Sequence, residues 1–130
     1  MSGPPAHPPA GNLAGNLMDG LPPGRLPGEL FTTLAAAAGT RIERIVSTGQ
    51  ASPAGFWYDQ GWDEFVLLVQ GAAALEIAGA GAAVEERRLG PGDWVMIPAR
   101  TRHRVAWTAP DAATVWLAVH IAGPDGGPHP

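Results

Sequence analysis

Between Gly92 and His103 the chain reads Gly92-Asp93, then Trp94-Val95-Met96-Ile97, then Pro98-Ala99-Arg100-Thr101-Arg102-His103. A Gly-Asp turn opens a short apolar strand, a proline closes it, and a histidine heads the next strand. This order predicts a tight corner between two strands that sets one imidazole at the mouth of a β-barrel. Asp93 is expected to make hydrogen bonds within its turn.

The surrounding segments repeat that design. Arg41–Thr48, Phe56–Gln60, Glu64–Gln70, Ala72–Ala78, Val84–Leu89, Asp93–Ile97, Arg102–Thr108 and Thr114–Ile121 read as short strands between Gly- and Pro-containing turns. Strands so closely spaced indicate an all-β sandwich or barrel. Phe65–Val69 is apolar at every position and needs cover on both faces. Together with the 5 Trp residues, that surplus predicts a homodimer. Gly28–Ala38 is the helical candidate: Leu30, Leu34 and an Ala run fit a short amphipathic helix ended by Gly39. Residues 1–27 are dense in Pro and Gly and bury too little to offset the entropy of ordering. They are expected to be disordered, as is the tail 123–130. Residues 28–122 are left as one domain with a modest core.

Composition removes several classes of function. All 8 basic residues are Arg, so Schiff-base chemistry and lysine-bound pyridoxal are excluded, and no organic cofactor is expected. Cys is absent, which removes disulfides, thiol nucleophiles and zinc–thiolate sites. A net charge of −4 argues against nucleic-acid binding. No secretory signal and no apolar run of transmembrane length is visible, so a cytoplasmic protein without membrane contact is expected. Arg100, Arg102 and Arg104 alternate toward one face, as a solvated strand face or an anion-contacting rim.

The glycine, proline and histidine at Gly92, Pro98 and His103 resemble the second conserved motif of the cupins. The chain departs from that motif at Arg100, where the family has Gly, and at Trp107, where it has Asn. The first cupin motif runs Gly, five residues, His-x-His, three or four residues, Glu, six residues, Gly. Glu64 to Gly71 reproduces its last part. Ser52–Gln60 and Trp116–His120 are similar to segments of small bacterial cupins. The resemblance spans most of residues 28–122. It implies an antiparallel double-stranded β-helix, the jelly-roll barrel, here behind the short N-terminal helix.

The His-x-His half is missing. Its two positions hold Tyr58 and Gln60 in one register, Trp57 and Asp59 in the other. The resemblance therefore implies a site built on Glu64 and His103, with Tyr58 and Gln60 beside them, or Asp59 in the second register. Glu64, His103 and Gln60 are the candidate ligands for a divalent metal, held weakly because the usual imidazoles are absent. Without metal, His103 and Tyr58 form a candidate acid/base pair, as in the metal-free sugar epimerases of this superfamily. The face taken by His120 is open.

Three functions remain open at this level. The barrel binds a small molecule and catalyses an isomerisation, lyase step or decarboxylation. Alternatively it binds a ligand without turnover. In the third case it only dimerises, its lumen plugged by Trp and Leu.

Overall fold

The computed structural model describes residues 14–79 and 83–122. Eight strands form: β1 (Leu30–Ala37), β2 (Thr40–Ser47), β3 (Trp62–Gln70), β4 (Ala73–Ala78), β5 (Val84–Leu89), β6 (Trp94–Ile97), β7 (His103–Thr108) and β8 (Thr114–Ala122). They build a five-stranded sheet ordered β1-β2-β8-β3-β6 and a three-stranded sheet ordered β5-β4-β7. Every pairing is antiparallel. The described residues contain no helix, hence none long and apolar enough to cross a membrane.

Strand alternation decides what faces the space between the sheets. On β3, Glu64, Val66 and Leu68 are buried while Phe65 and Leu67 are only partly so. Trp116, Ala118 and His120 take the buried parity on β8. Ile45, Leu68, Leu75, Leu89, Val105 and Trp116 fill the interior. The Trp116 indole donates to Ser47 Oγ at 3.1 Å, so its one polar atom is satisfied at full burial. The polar residues Glu64, His103 and His120 sit at the other end of their strands, beyond this apolar filling.

The helix expected over Gly28–Ala38 does not form. Leu30–Ala37 is strand β1, paired along its length with β2 and broken by one irregularity between Thr33 and Ala35. A ladder to β2 outweighs the helix preference of the Ala run, because tertiary pairing routinely overrides a weak intrinsic propensity. The strand expected over Phe56–Gln60 reduces to one bridge, Tyr58 with His103. Phe56 N is taken by Pro53 O in a turn at Gly55 (φ 79°). Val105 N is taken by the Ser52 hydroxyl instead of a carbonyl, so no regular ladder can run.

Residues 14–29 lie against the five-stranded sheet. Arg44 donates to the carbonyls of Leu17 (3.1 Å) and Asp19 (2.5 Å). Leu26 N donates to Thr48 Oγ1 at 2.9 Å, and Gln50 returns a bond to Leu26 O at 2.8 Å. The part of the expected unfolded segments in 1–13 and 123–130 lies outside the described residues.

The second motif forms the corner its spacing predicts. Asp93 accepts from Gly90 N at 2.8 Å, and its backbone carbonyl accepts from Leu68 N, which fastens the corner to β3. Arg100 has φ 62°, a left-handed conformation that costs a residue with a Cβ but not glycine. That explains why the family pattern has glycine at this position.

Candidate active site

Glu64 lies near the start of β3, His103 starts β7 and His120 lies near the end of β8, and the fold brings the three side chains together. Glu64 and His120 are direct register partners, as are His120 and Arg41 on β2. Cross-strand partners share a face, so Glu64, His120 and Arg41 form one row across three strands of one sheet. His103 approaches from the opposite sheet. Its Nε2 lies 3.5 Å from Glu64 Oε1. His120 Nε2 lies 3.2 Å from the other oxygen, Glu64 Oε2, and 3.6 Å from Glu43 Oε1. Arg41 completes the row, 3.2 Å from His120 Nδ1 and 3.6 Å from Glu43 Oε2. All five ionisable side chains are buried.

The hydrogen bonds identify which ring nitrogen carries a proton. The Thr101 carbonyl, which can only accept, lies 2.9 Å from His103 Nδ1, so Nδ1 is the protonated nitrogen. His103 Nε2 then presents a lone pair toward Glu64, and it has no hydrogen-bond partner among the described residues. At His120 the logic reverses. Arginine can only donate, so Nδ1 accepts from Arg41 and Nε2–H donates to Glu64.

Burial alone would push the Glu64 carboxyl up. His103, once its Nε2 carries a proton, and the His120 Nε2–H outweigh that cost and hold it down at about 2. Burial raises Glu43 above the ordinary carboxylate range against the pull of His120 and Arg41. Tyr58, half-buried, stacks on His103 at 5.4 Å between ring centroids. Burial first, then Glu29 and Glu64, push its phenol up to about 12, so it remains a donor at neutral pH. Phe56 meets the Tyr58 ring edge-on, and Trp62 lies beside His120.

The structure thus unites Glu64, His103 and Tyr58, the residues that the two motifs and the first register single out. Gln60 is buried nearby in sequence, and its carbonyl accepts from Arg100 N. Asp59, the candidate of the second register, is exposed and faces Arg100 at 3.5 Å. The arginines do not converge. Arg102 lies over the Trp57 ring, and Arg104 pairs with Glu76 at 2.5 Å. Arg41, Glu43 and His120 are members of the site that sequence reasoning did not assign. The signal available was alternation: Arg41, Glu43, Ile45 and Ser47 share one parity on β2, as do Trp116, Ala118 and His120 on β8.

A cupin-type metal centre needs three or four converging donors. Among the described residues, no three His, Cys, Asp or Glu side chains form a group able to hold a metal ion. His103 Nε2 and Glu64 Oε1 offer two donors, and the His120 nitrogen that faces them carries a proton. The side chains as arranged do not fit a metal centre.

A groove of about 700 Å³ opens between β5 and β6, the facing edges of the two sheets. Ile77, Arg87, Arg88, Leu89, Trp94 and Val95 line it. Ile77 is the register partner of His103, while His103, Glu64 and Tyr58 do not themselves line the groove.

Residues 45–120 match the family model of the Cupin domain. The chain belongs to the cupin family. This cupin is 48% identical to a crystallised protein of Ralstonia eutropha JMP134 provisionally named a mannose-6-phosphate isomerase. The likeness covers 85% of this chain and 98% of that one, at a TM-score of 0.78. A cupin superfamily protein of Desulfitobacterium hafniense DCB-2 is 19% identical over 76% of this cupin and 82% of its own length, at a TM-score of 0.61. KdgF from Halomonas sp. is 24% identical over 77% and 84%, at a TM-score of 0.59. The last two share the fold. No curated protein matches this cupin.

Proposed function

We propose that this cupin binds a small sugar or acid carrying an anionic group and isomerises it by proton transfer at His103 and Tyr58, with Glu64 as the charge that steadies His103. The carrying observation is the buried ionisable row: Arg41, Glu43, Glu64, His103 and His120 together at one end of a small sandwich. Burying charge is expensive, and a chain with only structural needs fills such a space with apolar side chains, as the Trp116 end does.

The roles follow from the protons. His103 Nε2 is the base, because Thr101 occupies Nδ1. Glu64, ionised, stabilises the imidazolium that forms when the base takes a proton, and it does not need to accept that proton itself. Tyr58 lies over the His103 ring as the neutral donor to a developing alkoxide. The groove between β5 and β6 has the volume of a small-molecule site. Arg87 and Arg88 line it, paired with Glu85 at 2.9 Å and Glu86 at 3.2 Å, and a phosphate or carboxylate would exchange with those surface carboxylates for them. The Ralstonia relative supports an isomerase of a phosphorylated sugar.

Any divalent ion at Glu64 and His103 binds weakly. The active unit is a homodimer joined through the outer face of the five-stranded sheet.

The test is solvent exchange. With mannose 6-phosphate in D2O, the protein is expected to form the ketose isomer or to wash deuterium into the carbon next to the carbonyl. His103→Ala should abolish both. Saturable binding without exchange would favour a ligand-binding module. Neither binding nor exchange, with this aldose or its ketose, would remove the proposed substrate class.

A further inference from the structure

The position of one proton decides which donors the polar end offers. His103 Nε2 lies 3.5 Å from Glu64 Oε1, and His120 Nε2 lies 3.2 Å from Glu64 Oε2. The two imidazoles thus face one carboxylate, one at each oxygen, and among the described residues no three such side chains form a group able to hold a metal ion. Glu43 Oε1, 3.6 Å from His120 Nε2, is buried with no hydrogen-bond partner among the described residues. His120 Nε2, which carries a hydrogen, meets the Glu64 carboxylate as a donor and not as a ligand.

We infer that Arg41 is the specificity-determining residue of this site, because it locks His120 in the Nε2–H tautomer and so makes it a donor to Glu64 instead of a ligand to a divalent cation. A guanidinium has no lone pair and stays charged, so the nitrogen 3.2 Å from it can only accept. Arg41 cannot turn away cheaply. It is buried, it sits opposite His120 in the β2–β8 ladder, and Glu43 Oε2 holds its other side at 3.6 Å. The same contact does two things. It keeps a hydrogen bond on Glu64, and it turns the lone pair of His120 away from Glu64 and His103. The inference rests on the reading of Glu64 and His103 as the functional centre, and it names what keeps that centre a proton-transfer site.

Two measurements test it. The first is the long-range 1H–15N correlation spectrum of the wild-type imidazoles. Expected is a pyridine-type Nδ1 with a protonated Nε2 for His120, and the reverse for His103. A proton on Nδ1 of His120 overturns the inference. The second is a Co2+ titration followed by visible absorption and calorimetry. Arg41→Gln, and the double variant Arg41→Gln/Glu43→Gln that removes one charge of each sign, are expected to bind Co2+ at least about tenfold tighter than wild type, since partners behind a ligand typically change metal affinity 10–100-fold. Adding His120→Ala should return both to the wild-type affinity. An unchanged affinity, or a gain that survives His120→Ala, overturns the inference. If the variants fail to fold, the wild-type spectrum decides alone. Absence of turnover would leave the tautomers and Co2+ affinities as stated, so it would count against the isomerase reading only.

Discussion

Glu64 carries the largest consequence of any single residue. A carboxyl whose folded-state value is depressed stabilises the fold above its unfolded value, and that contribution is lost as pH falls toward the folded one. For Glu64, held down at about 2 by His103 and His120 against burial, the window runs from roughly pH 5 to roughly pH 2, and the contribution is on the order of 3 kcal/mol. Urea unfolding midpoints should therefore fall steeply over that window in wild type and much less in Glu64→Gln. Glu29 and Glu43, pushed up by burial, act in the opposite sense in both proteins. Coincident pH dependences for the two proteins would rule out an ionised Glu64. Glu64 and His103 were legible because motif spacing sets their parity on β3 and β7. Tyr58 followed from the inward parity of one register. Arg41, Glu43 and His120 were not legible, because their meeting depends on β2 pairing with β8, strands from nearly opposite ends of the described chain. No local pattern reports such a pairing.

At the scale of elements, the two motif glycines do different work. Gly71 has φ 96°, and a Cβ there would come within 2.7 Å of the Thr114 backbone and 2.4 Å of its hydroxyl. Gly92 has φ 91°, with nothing within 4 Å of the same added atom. Gly92→Ala should cost about 1–2 kcal/mol, from backbone strain alone. Gly71→Ala should cost about 3 kcal/mol or more, because β3 and β8 must also part to admit the methyl. Equal losses in denaturant melts would show that the close approach to Thr114 has no energetic weight. The strands from β3 onward were readable because alternation and Gly or Pro turns agree there. β1 was misread because alanine satisfies a helical pattern as easily as a strand that earns its place by pairing. The register of Leu30 with Val46 and Ala37 with Thr40 is information carried by β2. Phe56–Gln60 looked like a strand by residue type, yet its partner amide on β7 is claimed by a serine hydroxyl.

For the whole molecule, the doubly apolar strand splits as its pleat requires. Val66 and Leu68 enter the core, while Phe65 and Leu67 face outward. Outward, Phe65 has Val119 and Met96 as its register partners, and Leu67 has Leu117 and Trp94. Two apolar rows therefore cross β8, β3 and β6 side by side. Trp94 is 62% exposed and Met96 41%, and the Trp94 ring tilts against Phe65. Toward β2 one row ends at Arg44, whose charge is engaged by the carbonyls of Leu17 and Asp19, and the other continues to Ile42. A contiguous apolar face with an exposed indole at one side is the composition of an interface core. A second copy placing the same rows against it would close a two-fold pair and cover them. The protein should sediment as a dimer at micromolar concentration. Trp94→Asp with Met96→Lys should weaken association by about 30-fold or more, since a buried interface tryptophan is commonly worth at least about 2 kcal/mol. The variant monomer should keep its far-ultraviolet spectrum, because neither side chain contributes to the core cluster. A wild-type monomer at tens of micromolar, or a double variant that remains dimeric, would place the interface elsewhere or remove it.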